Sequence, residues 1–224
     1  MNTSQKTKRL AVSAIMLASA VILAVLSAPI PPLPFGGSFT VASMLPIVLI
    51  AYMYGTKWGL FSAFTYSILQ IILDLLGGRA GSMLLGYFLP TSDDFMGIGV
   101  AIGILILDYF VAYTALGLGG VLRNKMHKVP AIILGVLIAL GARYAVHIVS
   151  GYLFFGTWAE WFFTQEGFYA IGNVILNAFS GQLLAIVYSI FYNGLYMIPE
   201  LVITAVCASG IAWIPYIKKY DVKS

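Results

Sequence analysis

Six apolar stretches divide the chain, at about residues 10–29, 39–54, 59–76, 97–122, 130–155 and 182–214, each bounded by short polar, charged, proline or glycine runs. Most approach the roughly twenty residues a helix needs to cross a hydrocarbon layer, and none alternates as a barrel strand would. The pattern predicts an all-α integral membrane protein, a single six-helix domain over residues 1–224. Residues 28–38, APIPPLPFGGS, hold prolines that deny helix and glycines that permit unusual dihedrals, with no charge. Carrying Phe35 and followed by Phe39, this segment suits either a flap over an apolar pocket or a plain connector. Pro46 falls inside the second span and is expected to interrupt its backbone ladder. Residues 77–95 read as a loop with a short amphipathic piece at 82–89. Residues 157–181, with Trp158, Glu160, Trp161 and Glu166, read as a loop or helix in the headgroup region.

The first nine residues are polar and basic, ahead of an apolar run ending at Ala28, which imitates a secretory signal. The length of that run and the five spans behind it favour a retained first helix. Ala14 and Ala18, then Ala20 and Ala24, are small residues four apart, a spacing that lets another helix approach closely, although alanine is also simply common in membrane helices.

Composition sharpens the class: 61% of the residues are hydrophobic and 9% charged, against about one quarter charged in soluble domains. No length remains for a soluble catalytic domain. Of the twelve basic residues, Lys6, Lys8, Arg9, Lys57, Arg123, Lys125, Lys128, Lys218, Lys219 and Lys223 fall on one side of such a bundle, Arg79 falls on the other, and Arg143 lies within it. By the positive-inside rule both termini are cytoplasmic, in a multi-pass protein of the cell membrane, and the net charge of +4 reports topology rather than nucleic acid. The opposite loops carry Asp93, Asp94, Glu160 and Glu166, acidic mouths suited to steering cationic solutes. Cys207, the only cysteine, lies in an apolar run, so no disulfide forms within the chain and no thiolate metal site is expected.

The candidate chemistry centres on Asp108, near the middle of the fourth span. An aspartate there costs about 2.5 to 3.5 kcal/mol, so it must face protein or a water-filled cavity. Either it serves a ligand or pathway with Tyr109 and Tyr113, or it pairs with Arg143 to fix helix packing. Arg143, His147, Ser150 and Gly151 share one face of the fifth span. In the sixth span Tyr188, Tyr192 and Tyr196 recur every four residues and Asn193, Tyr196 and Glu200 form a stripe, a band suited to the interior or, for Tyr188, to an interfacial belt. Pro199 is expected to kink that helix, and Gln70 and Asp74 stand one turn apart near the end of the third. The chain has no GxxxxGK[ST], HExxH or GxSxG, so neither ATP hydrolysis nor other enzyme chemistry is expected of it, and no cofactor. What remains composes a pocket for a small, polar, cationic and aromatic solute. A quaternary nitrogen pairs with a carboxylate and gains up to about 2 kcal/mol against desolvated ring faces.

SMLPI at residues 43–47, LDY at 107–109, RYAVHIVSG at 143–151 and YSIFYNGLYMIPE at 188–200, in that order, resemble the thiamine-specific substrate-binding subunits (S components, ThiT type) of energy-coupling factor transporters, over roughly residues 11–205. The resemblance implies a six-helix subunit that captures the vitamin outside and joins a transmembrane coupling subunit and two ATPase subunits, which use the ATP. It implies that Ala14 and Ala18 contact the coupling subunit. It also implies a site lined by Asp108, Tyr109, His147, Gly151, Phe155, Tyr188 and Asn193. Asp108 would neutralise the thiazolium, Tyr188 and Asn193 bond the pyrimidine edge, His147 and Phe155 offer ring faces, and Tyr109 meets the hydroxyethyl group, with residues 30–38 closing over them. The chain departs from the pattern in having Asp108 for a glutamate and Phe155 for a tryptophan, and in lacking a tryptophan in the first outer loop, where Phe35 or Phe39 stands nearby. Those departures leave room for a related vitamin or a thiamine precursor. The residues alone also leave room for an autonomous proton-coupled carrier using Asp108, Arg143 and Glu200.

Overall fold

The computed structural model describes residues 3–31, 33, 37–77 and 79–214, and all regular structure among them is helical. Phe35 and the basic residues Lys218, Lys219 and Lys223 lie outside the described residues. Helix α1 (Thr3–Leu26) starts well before the expected residue 10. Its polar first turns hold lysine, arginine and glutamine, good helix formers that nothing interrupts.

The second apolar segment departs most from expectation. Helix α2 is only Leu45–Tyr54, ten residues instead of a full span, and residues 39–44 approach it without helix. Pro46 does not break it. It sits in the first turn, where a missing N–H removes no intrahelical bond. Every α2 residue except Tyr54 is buried, so the helix is a plug within the bundle. Gly55, at φ 94°, ends it with a left-handed turn and delivers the chain directly into α3 (Thr56–Gly77).

After α3 come a short helix α4 (Arg79–Phe88), which overlaps the expected amphipathic piece, and α5 (Ile98–Gly120). Helix α5 is not uniform: α-turns give way to π-helical turns over Leu105–Val111, and it closes in 3₁₀ geometry over Ala115–Gly120. Helix α6 (Lys128–Phe155) follows. The aromatic segment expected at residues 157–181 contains two short helices, α7 (Ala159–Phe163) and α8 (Tyr169–Ala178), with Trp158 and Trp161 exposed while Phe162 and Phe163 tuck inward. Helix α9 (Gly181–Ile211) runs through Pro199. Five helices, α1, α3, α5, α6 and α9, are long and apolar enough to cross a membrane, and α2 is the shorter sixth. Their outward faces carry exposed Ile15, Phe61, Leu153 and Val206, as lipid contact requires.

The bundle is tight at the end that carries Lys57 and Arg123. A Cβ on Gly120 would strike the Ala51 carbonyl, one on Gly117 the Leu60 backbone nitrogen, and one on Gly135 the Gly119 carbonyl, so α2, α3, α5 and α6 meet almost backbone to backbone. There too Trp58 donates to Ser13 Oγ at 2.9 Å and the Arg9 guanidinium lies 3.9 Å above the Trp58 ring, pinning α1 to α3. At the opposite end the helices part.

Candidate solute-binding site

The parting encloses a cavity of about 660 Å³, within the range of small-molecule sites. Its walls are the last turns of α1, the C-terminal halves of α3 and α6, the middle of α5 and the N-terminal half of α9, with α4 and residues 37–44 beside them. The long helices α1, α3, α6 and α9 therefore contribute the parts distant from the basic turns, and α5 its middle. All seven residues singled out in the sequence, Asp108, Tyr109, His147, Gly151, Phe155, Tyr188 and Asn193, line it.

Asp108 lies within the π-helical turns of α5. Inserted π-turns re-aim the side chains around them and recur at functional positions. Here Asp108 points to α6 and Tyr109, the next residue, to α3. Asp108 Oδ1 sits 2.8 Å from His147 Nδ1, and Ser150 donates to Oδ2 at 2.7 Å. The packing alternative, a pair with Arg143, is not what forms. Arg143 instead lies 4.2 Å over the Tyr113 ring and donates to the Met44 sulfur at 2.8 Å. His147 is 7% exposed; assigned as the tautomer that donates from Nδ1, it leaves Nε2 a buried acceptor without a partner among the described residues. An ionised carboxylate accepts about four hydrogen bonds, so two on Asp108 leave capacity for a guest.

The other residues divide by what their polar atoms already do. Tyr188 lines the cavity with its Oη buried and without a partner among the described residues, which settles Tyr188 as interior rather than as part of an interfacial belt. Its ring meets Phe162 at 5.3 Å and Tyr192 at 5.8 Å. Phe155 meets Tyr87 edge-on at 6.0 Å. Tyr109 donates to Asp74 Oδ2 at 2.8 Å. Asn193 is committed internally, its Nδ2 donating to the His147 carbonyl at 3.1 Å and the Ser189 carbonyl at 2.9 Å and its Oδ1 accepting from Tyr196. Gly151 lines the cavity and also sets the approach of α6 to α9, since a Cβ there would overlap Ser189 Oγ and lie 3.0 Å from Asn193 Nδ2.

Residues 37–44 are stitched over one side. Gly37 N–H donates to the Tyr192 hydroxyl at 3.1 Å, Val41 N–H to Ser27 Oγ at 2.9 Å, and the Thr40 backbone and hydroxyl both donate to Glu200, which is 1% exposed and also takes a bond from Thr204. Sequence reasoning left Gln70, Asp74 and Tyr87 without a role and put Tyr192 and Tyr196 only in an interior-facing band, yet all five line the cavity. For Asp74 the signal was present, because a carboxylate near the end of an apolar span invites the same question as Asp108.

A membrane-spanning helical bundle with an acid-bearing, aromatic-walled cavity defines a solute-binding membrane protein. Over residues 10–104 and 100–164 the chain matches the family described as thiamine transporter protein (Thia_YuaJ), and it belongs to that family. It is 29% identical over 216 residues to the thiamine transporter ThiT of Bacillus subtilis (strain 168), covering 92% of this chain and 91% of that protein. The fold is similar to the solved structure of ThiT from Listeria monocytogenes, with a TM-score of 0.62 at 19% identity, covering 95% of this chain and 98% of that one. The chain is thus a multi-pass protein of the cell membrane from a family of transporters, not of enzymes.

Proposed function

We propose that this chain is the substrate-binding membrane subunit of an ATP-driven transporter of the energy-coupling factor type, capturing thiamine on the outer face. The observation that carries the reading is the Asp108 carboxylate, held by His147 and Ser150 against the wall of an aromatic cavity and not neutralised by Arg143. A cation 4 Å from that carboxylate gains about 4 kcal/mol at an effective dielectric of 20, enough to offset the placement of the acid. The unpartnered atoms favour a donor-rich guest: His147 Nε2 is an acceptor and Tyr188 Oη accepts as readily as it donates. Thiamine offers a quaternary thiazolium, an aminopyrimidine and a terminal alcohol. Asp108 would neutralise the thiazolium, His147 and Tyr188 meet the aminopyrimidine, Phe155 supply a ring face, and Tyr109 meet the alcohol; Gly151 and Asn193 would hold α6 and α9 in register around the vitamin.

Two features of the chain support the reading that it works with coupling partners. It has no nucleotide-binding loop of its own, and Ala14 and Ala18 lie exposed on the outer face of α1, where a coupling subunit could pack closely. The relay required of an autonomous proton-coupled carrier is not favoured by the geometry, since Glu200 is capped by Thr40 and Thr204 and Arg143 by Met44 and Tyr113. In calorimetry on detergent-purified protein, Asp108→Ala, verified as folded and inserted, should bind thiamine about 100-fold more weakly, the loss expected for a desolvated charge pair. Parent-like affinity overturns the assignment. Tight binding of the pyrimidine fragment alone would redirect it to a precursor.

A further inference from the structure

The tight end of the bundle gathers cations that the cavity does not use. Gly120, at the end of α5, abuts the joint between α2 and α3, where a Cβ on it would lie 3.1 Å from the Thr56 nitrogen. Three residues on, Arg123 brings Nη1 to 3.1 Å from where a Cβ on Gly55 would stand. Arg9 reaches the same joint from α1, over the Trp58 ring, and Lys57 stands exposed between Gly55 and Trp58. Segments far apart in sequence thus converge three positive charges on residues 55–58. Sidedness alone explains lysines such as Lys6 and Lys8, which stand exposed on α1. Arg9 and Arg123 are different: both are half-buried, and the Nε of each is buried without a partner among the described residues. Neither they nor Lys57 pair with a described carboxylate. Where the other arm of the same turn enters α6, Lys128 is 7% exposed with no bonded partner among the described residues, and α6 begins without a side-chain cap. Cationic donors drawn out of water and left without acceptors call for an anion.

The neighbouring surface says which anion. The Trp58 ring meets Phe61 at 5.6 Å, and Phe61 opens an exposed apolar face of α3 that continues through Phe64, Ile68, Ile72 and Leu75. From Phe61 to Leu75 that face runs about 21 Å, longer than the roughly 15 Å of hydrocarbon in one leaflet. A soluble phosphate would engage the cations and leave this track unused; a phospholipid engages both. We propose that the α2–α3 joint, with Arg9, Lys57 and Arg123 around it, binds the phosphate of an anionic phospholipid whose acyl chain lies along α3. The bound lipid ties α1, α3 and α5 together at the end opposite the cavity, and the site stands independently of which solute the cavity takes.

Native mass spectrometry of the purified full-length protein, mixed with equal amounts of phosphatidylglycerol and phosphatidylcholine, tests the assignment. The parent should retain one phosphatidylglycerol in preference to phosphatidylcholine by about tenfold or more, and millimolar glycerol phosphate should not displace it. Lys57→Gln with Arg123→Gln should cut the preference by about tenfold, whereas Lys57→Arg should keep it. Thiamine affinity should stay at the parent value in each variant. Lys57→Gln alone, at an exposed position, reports if the double variant fails to fold, and should lower the preference severalfold. A parent without preference, an unmoved preference in the folded variants, or displacement by glycerol phosphate overturns the lipid site. So does a double variant that loses thiamine affinity and lipid preference together, since the cluster then acts through the fold.

Discussion

At the scale of single residues, the site is defined by polar atoms that the protein leaves unsatisfied. Tyr188 is the cleanest case: the residue lines the cavity and its ring is packed by Phe162 and Tyr192, yet its buried hydroxyl has no partner among the described residues. A hydroxyl kept in a dry wall without a bond is destabilising unless a ligand supplies one. Tyr188→Phe should therefore leave the thermal stability of the ligand-free protein unchanged or slightly raised, while thiamine affinity falls about tenfold, roughly 1.4 kcal/mol. A thermal-shift series with and without thiamine separates the two effects. Asn193 is the counter-example. Its residue type and its helix suggest a ligand contact, whereas the structure gives its amide to His147, Ser189 and Tyr196. Residue identity announces that a polar group must be satisfied, and only the neighbours decide whether protein or guest satisfies it.

At the scale of elements, two irregularities build the cavity, and neither has a strong sequence signature. The π-turns in α5 lie in an unremarkable apolar stretch, LILDYFV, and the ten-residue α2 lies in a segment hydrophobic enough for a full span. Gly151 links this scale to the site. It lets α6 and α9 close around the wall, and a methyl group there would collide with Ser189 Oγ, whose hydroxyl itself donates to the Ile148 carbonyl at 2.8 Å. Gly151→Ala should lower stability by about 1 to 3 kcal/mol, as overpacking at a tight interface does. Gly151→Ala combined with Ser189→Gly should recover most of that loss in melting temperature. Undiminished stability in the single variant, with binding alone reduced, would mean that the glycine serves ligand clearance instead of helix packing.

At the scale of the molecule, the cavity and the basic turns occupy opposite ends of the bundle: Lys57, Arg123 and Lys125 lie at the tight end, Asp93 and Asp94 at the open one. By the positive-inside rule the basic turns should lie inside, which would turn the cavity outward, as the proposed capture of an external solute requires. The single native cysteine makes this testable: in a Cys207→Ser background, Asp93→Cys should react with an impermeant maleimide on intact cells, and Lys125→Cys only after permeabilisation. The reverse pattern would place the cavity on the cytoplasmic side and remove the basis for capture from outside.

Much of this was legible in the chain itself, for one physical reason. In hydrocarbon each polar residue carries its own penalty, so the six apolar segments, the sidedness of the lysines and arginines and the exceptional position of Asp108 can all be read locally, without knowing what touches what. Pairing is not local. Whether Asp108 would meet Arg143 or His147, whether Asn193 would face a guest or brace a helix, and that Asp74 would share a cavity with residues on α6 and α9 depend on how each helix is rotated about its axis. Those rotations are set by glycine contacts between backbones and by one π-helical insertion, which exist only once the helices have packed.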